Sequence, residues 1–100
     1  MLFLVIARVV EGTPLEQIVP LVKPESAKIW EYYAADRVRS VYYFADMGGA
    51  VLLYEAASLE ETQAAIDQLP MGQAGVLTFE IIPLKPYSGF EQLFAKESSG

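Results

Sequence analysis

The chain contains neither cysteine nor histidine, and those two absences remove much of the usual chemical repertoire. No disulfide, thiolate nucleophile, imidazole base or Cys/His metal site can be built from it. A metal site made of carboxylates alone would need closely spaced acids, and no Asp-x-Asp-type loop occurs. Basic residues are scarce too: 7 Lys and Arg against 13 Asp and Glu give a net charge of −6 and a pI of about 4.4. Neutralising phosphates takes clustered Lys and Arg, so the composition argues against a nucleic-acid partner. Long apolar runs are missing as well. The opening Met1 to Ala7 is apolar, but it lacks a basic leader and meets Arg8 too soon to span a bilayer. It reads as a buried strand, with no membrane partner and a cytoplasmic residence as the expectation.

What the chain does have is apolar surface in excess of its size. One hundred residues make one domain with one core. Yet 53% of the residues are hydrophobic and the mean hydropathy is +0.28. A small domain buries only a modest share of its surface, so the surplus calls for a partner surface. A second copy of the chain is the simplest one, and a homo-oligomer, dimer or larger ring, is expected.

Local signals divide the chain into strand, helix, strand, strand, helix, strand. The first strand runs from about Leu2 to Val10. Thr13-Pro14-Leu15-Glu16 reads as an N-cap, a proline at the first helical position and an acid in the capping-box slot. Pro20 and Pro24 each remove a helical N–H and crowd the preceding turn. A short broken turn is therefore predicted first, with the main helix running from near Pro24 to about Ala35. The second strand spans about Arg37 to Asp46, and Met47-Gly48-Gly49 turns it back into Ala50–Ala56, since glycine pairs reach the positive φ of tight hairpins. Ser58-Leu-Glu-Glu61 is a second capping box, opening a helix that shares Leu59, Thr62, Ile66 and Leu69 on one face and stops at Pro70. The fourth strand runs from about Val76 to Leu84. This order in one short chain predicts a ferredoxin-like α+β sandwich: an antiparallel four-stranded sheet, helices on one face, the other face open. Residues 1–87 would form that domain. Residues 88–100 form a tail in which Phe90, Leu93 and Phe94 fall at i, i+3, i+4, one apolar turn able to reach a neighbouring subunit.

Side chains alternate along strands, so the open face can be read from parity. It would carry Leu4, Ile6, Arg8, Ser40, Tyr42, Phe44, Leu53, Glu55, Thr78 and Glu80. An apolar chamber with one arginine, one phenol and a few carboxylates suits a small apolar ligand. The plainer reading is that Arg8 pairs with Glu80 or Glu55 only to neutralise them.

Several short words carry a family resemblance: Met1-Leu-Phe3, Lys23-Pro-Glu25, Leu53-Tyr-Glu-Ala56, Gln68-Leu-Pro-Met71 and Phe79-Glu-Ile-Ile-Pro-Leu84. Over roughly residues 1–87 the chain resembles the muconolactone isomerases, small proteins of the dimeric α+β barrel class. The resemblance implies a ring-like homo-oligomer with C-terminal tails closing pockets on neighbours. It also implies an isomerase that moves a proton between carbons with no metal or cofactor. Glu25 matches the carboxylate that serves the family as proton shuttle, and a carboxylate at a dry cleft can work as acid or base near neutrality. The family's pocket histidines fall at Leu4 and near Ser40, and its hairpin Tyr and Asn fall near Gly48 and Ala50. Muconolactone itself is thus a poor fit, and a more apolar lactone or unsaturated acid a better one.

Glu25 is accordingly the candidate catalytic residue, with Arg8, Tyr42, Phe44, Glu55 and Glu80 as candidate substrate-binding residues. The competing reading of Glu25 is a plain helix-start carboxylate favoured by exposed N–H groups. Trp30, Tyr32 and Tyr33 read mainly as core, and Gly48-Gly49 as a turn rather than a phosphate loop, because no helix follows it. A non-catalytic ligand-binding or assembly module is the alternative function. Cofactor-free oxygenase chemistry, known from other barrels of this class, has no residue in its support.

Overall fold

The computed structural model describes residues 1–96. Its strands are β1 (Leu2–Val9), β2 (Val38–Tyr43), β3 (Gly49–Glu55) and β4 (Leu77–Pro83), and its helices α1 (Leu15–Ala34), α2 (Leu59–Ile66) and α3 (Pro70–Gln73). A 3₁₀ turn, Gly89–Leu93, lies in the tail. The four strands form one antiparallel sheet in the order β2-β3-β1-β4, so β1 and β3 are central. This is the βαββαβ ferredoxin-like arrangement that the order of signals predicts.

Alternation decides which side of the sheet is core. Phe3, Val5, Leu52 and Tyr54 point to the helical layer and join Val38, Ala56, Ile66 and Leu69 in one buried cluster. Arg39 is an extra residue in β2, because Val38 pairs with Tyr54 while Ser40 pairs with Leu53. This bulge lets Val38 face the core although Ser40 and Tyr42 face away.

α2 begins as its capping box requires. The Ser58 hydroxyl accepts from the Glu61 N–H at 3.1 Å, and the Glu61 carboxylate reaches back to the Ala57 N–H at 3.0 Å. Thr62, Ile66 and Leu69 are buried as expected, while Leu59 stays exposed.

Several expectations are corrected. The region before Pro24 is not a broken turn, because α1 is continuous through Pro20 and Pro24. One turn apart, the two prolines sit on the same solvent-facing side, where the carbonyls they orphan can meet water. Thr13 does not cap this helix; its hydroxyl donates to the Val10 carbonyl at 2.7 Å, and Pro14 occupies the cap position. α2 ends at Ile66, ahead of Pro70, and Pro70 opens α3 instead. The hairpin's positive φ belongs to Met47, at 62°. Gly49 is already in β3, where a Cβ would collide with the Ala7 carbonyl oxygen and the Phe44 ring.

The tail leaves the body of the protein. Tyr87, Phe90, Leu93 and Phe94 are all exposed, and the chain extends over 66 × 27 × 20 Å. Its radius of gyration, 17.4 Å, exceeds the roughly 13 Å of a compact 100-residue domain. The last part of the expected tail, residues 97–100, lies outside the described residues.

Candidate active site

The sheet separates the candidate residues into two groups. Cross-strand pairing puts Arg8, Tyr42, Glu55 and Glu80 on the open face, and Phe44 joins them through its N–H bond to the Gly49 carbonyl, 2.8 Å long. Glu25 is on α1, on the opposite, helical side. A single site holding Glu25 together with the open-face residues of the same copy is thereby excluded.

On the open face, register gives the neighbours. Arg8 lies beside Thr78, and Glu80 beside Ile6. That diagonal brings the Arg8 guanidinium to the Glu80 carboxylate at 3.2 Å, with both side chains about half exposed. Phe44 covers Gly49, the residue opposite Arg8 on β3. Tyr42 shares a row with Val51, Ile6 and Glu80, so the whole width of the sheet separates its ring from Glu80. Glu55 is at the other end of β3 from Arg8, some six residues or about 20 Å away. It meets the N-terminal ammonium of Met1 at 3.6 Å instead. Of the pairings expected for Arg8, the structure makes the one with Glu80 and not the one with Glu55. Between these charges lies a half-buried apolar band of Leu4, Ile6, Val51, Leu53 and Ile82.

On the helical side, Glu25 is not at a helix start. It is in the middle of α1, and its Oε1 accepts the Met71 N–H at 2.9 Å. This backbone donor belongs to α3, which the Leu69-Pro70 junction turns against α1. Burial raises the Glu25 carboxyl above its ordinary range, and the Met71 N–H pulls it partly back. Among the described residues no cation stands within ion-pair distance of Glu25. Two turns on, Tyr32 donates its hydroxyl to the Ala65 carbonyl at 2.7 Å and packs edge-on against Tyr54, with ring centroids 5.7 Å apart. Burial raises both phenols, Lys28 opposing it at Tyr32 and Arg37 at Tyr54. The Glu25 charge also contributes to the rise at Tyr32.

Sequence reading did not join these groups. Of the three helical aromatics read mainly as core, Tyr32 packs there while Trp30 and Tyr33 stay exposed, and nothing local signals that Met71 would meet Glu25 across 46 residues. Two open recesses occur around α2, one over Leu59, Gln63 and Asp67, the other between Ile66, Gly72 and Phe79. Neither is lined by a candidate site residue. Among the described residues no three metal-ligating side chains cluster, and no helix is long and apolar enough to cross a membrane.

The fold has close counterparts among solved structures. A 5-chloro-2-hydroxyhydroquinone dehydrochlorinase from Burkholderia phenoliruptrix AC1100, in complex with 2,5-dihydroxybenzoquinone, superposes with a TM-score of 0.75, covering 89% of this chain and 98% of the enzyme. A muconolactone isomerase superposes with a TM-score of 0.72, covering 88% of this chain and 92% of the isomerase. The chain has the fold of these two enzymes. Each is 20% identical in sequence to this chain. No protein-family model and no curated protein matches the sequence.

Proposed function

We propose that the chain is a muconolactone isomerase-like enzyme, a cofactor-free isomerase or lyase acting on a small, mostly apolar lactone or unsaturated acid, with Glu25 as proton carrier. The observation that carries this reading is the state of Glu25: half-buried, raised by desolvation, held by one backbone N–H and without a cation to keep it ionised. Such a carboxylate can take a proton from carbon next to a carbonyl and return it at the far end of the conjugated system, which is an isomerisation. If a leaving group departs with its bonding electrons after the same abstraction, a double bond forms and the reaction is an elimination. The two superposed enzymes bracket these outcomes by name, an isomerase and a dehydrochlorinase.

The open face supports pairing of two copies, sheet to sheet. Its half-buried apolar band suits a partner surface, and Arg8, Glu80, Tyr42, Phe44 and Glu55 would line the chamber between the sheets, a binding chamber separated by the sheet from Glu25. The exposed tail from Tyr87 to Phe94 would find its apolar contacts on a neighbouring subunit.

A second reading follows from the Met71 bond itself. Glu25 already has a structural task, tying α3 to α1, so the chain could be a binding or assembly module without turnover. Solvent exchange separates the two. Unsaturated lactones and chlorinated hydroxyquinols incubated with the protein in D₂O are followed by NMR for deuterium entering a carbon position. Glu25→Gln keeps an acceptor for Met71 but carries no proton, and should lower exchange by about 10²–10⁴-fold. Exchange that is equal in Glu25→Gln and the wild type would end the catalytic assignment.

A further inference from the structure

α1 carries an apolar surface that neither the fold nor the open sheet face explains. It has 20 residues and not one of them is fully buried. The side turned to the sheet is half-buried through Ile18, Leu21, Glu25, Ile29 and Tyr32. A second stripe runs beside it through positions 15, 19, 22, 26, 30 and 33, all within about 45° of one line on a helix of 3.6 residues per turn. Leu15 is 72% exposed, Val19 58%, Val22 45%, Trp30 66% and Tyr33 49%. Ser26 completes the stripe, which holds no charge although the chain carries a net −6.

The stripe is graded in size. Its N-terminal half is aliphatic, its middle is Val22 and Ser26, and its C-terminal half is an aromatic block in which Trp30 stacks on Tyr33 at 5.7 Å. A surface that is slim at one end and bulky at the other is matched by the same surface run in the opposite direction. We propose that α1 packs against α1 of a second copy, antiparallel across a two-fold axis at the level of residue 24. Trp30 and Tyr33 of one copy then lie over Val19 and Leu15 of the other, and the small Ser26 and Val22 permit close approach at the crossing. Antiparallel packing also sets opposite helix dipoles side by side.

Area assigns this contact its rank. From Leu15 to Tyr33 the stripe is about 27 Å long, and at about 10 Å wide it buries on the order of 600 Å² over both copies, short of the roughly 1,200 Å² at which a pair of proteins stands alone. The helix contact is therefore the weaker of two. It lies on the opposite side of the protomer from the open sheet face, so it joins sheet-paired units into a larger assembly. That last step rests on the sheet-face pairing proposed above; the helix pairing does not.

The absence of cysteine makes the test clean. Ser26→Cys introduces a lone thiol, and two copies in the proposed pairing hold these thiols about 10 Å apart, from the 1.5 Å rise and a helix separation of 8–10 Å. A short bismaleimide should link them into covalent pairs, and adding Val22→Glu should abolish the link. By light scattering the wild type should exceed a dimer, splitting to dimers on dilution or with Val22→Glu, whose far-ultraviolet dichroism should match the wild type. No crosslink, or one that survives Val22→Glu, overturns the proposal. Crosslinking in a protein whose mass never exceeds a dimer would uphold the helix pair and sink the sheet-face pairing.

Discussion

Replacing Glu25 by alanine and by glutamine should have different consequences for stability, and the difference follows from one hydrogen bond. In the wild type the Met71 N–H donates to Glu25 Oε1 at 2.9 Å in a half-buried seam. Alanine leaves that donor without its partner, which costs about 1–3 kcal/mol when burial is complete. Because the seam is only half closed, water can recover part of this, and about 1 kcal/mol is expected. For a domain of this size that corresponds to a fall in Tm of roughly 4–8 °C. Glutamine offers the same acceptor oxygen without the desolvated charge, so Glu25→Gln should melt within about 2 °C of the wild type, or about a third of a kcal/mol. The assay is calorimetry at pH 7 and one fixed protein concentration, because association shifts apparent stability. Equal melting of Glu25→Ala and the wild type would refute the structural role of the bond. A Glu25→Gln variant as unstable as Glu25→Ala would show that the negative charge, not the acceptor, holds α3.

Four further outcomes are expected. The raised carboxyl of Glu25 means that the folded protein holds its proton more tightly than the unfolded chain does, so the stability of the wild type relative to Glu25→Gln should grow as pH falls through the folded pKa toward the ordinary 4.5. Denaturant titrations of both proteins across that window check it, and a flat difference would refute it. Leu53→Arg, a charge placed in the apolar band, should reduce sheet-face association by at least tenfold in sedimentation equilibrium, as a buried unpaired charge must. Gly49→Ala should destabilise by about 2 kcal/mol or more in a denaturant titration, since its methyl meets the Ala7 carbonyl oxygen, which cannot swing aside as the Phe44 ring beside it can. Ser58→Ala should lose about 1 kcal/mol with the cap of α2, and a denaturant midpoint equal to that of the wild type would contradict the cap.

The sheet was legible because its information is local. Alternation in Leu2 to Val9 and in Gly49 to Glu55 specifies two faces without reference to anything distant, and the Ser58 box marks its own helix. The prolines misled for a related reason. The rule that proline ends a helix concerns the clash at the preceding turn, and it cannot tell that Pro20 and Pro24 share the solvent side of one continuous helix. Glu25 shows the other limit. The Lys23-Pro-Glu25 word put it on the main helix but in a first turn, whereas it falls mid-helix, and its partner is a backbone N–H contributed by a separate element, which leaves no mark in the sequence. The open-face residues were assigned to the right face, yet parity carries no information on distance along a strand, which is why Glu55 could be grouped with Arg8.

The chain's single tryptophan happens to stand on the exposed stripe of α1, two-thirds open to water and stacked on Tyr33. All indole emission from this protein therefore originates at one surface location, with no core tryptophan to dilute it. An indole in water emits further to the red than one enclosed by aliphatic groups, and it is reached more easily by a dissolved quencher such as iodide. The protein thus carries its own optical gauge of whether α1 is covered, readable in dilute solution, without a label, and independent of events at the sheet face.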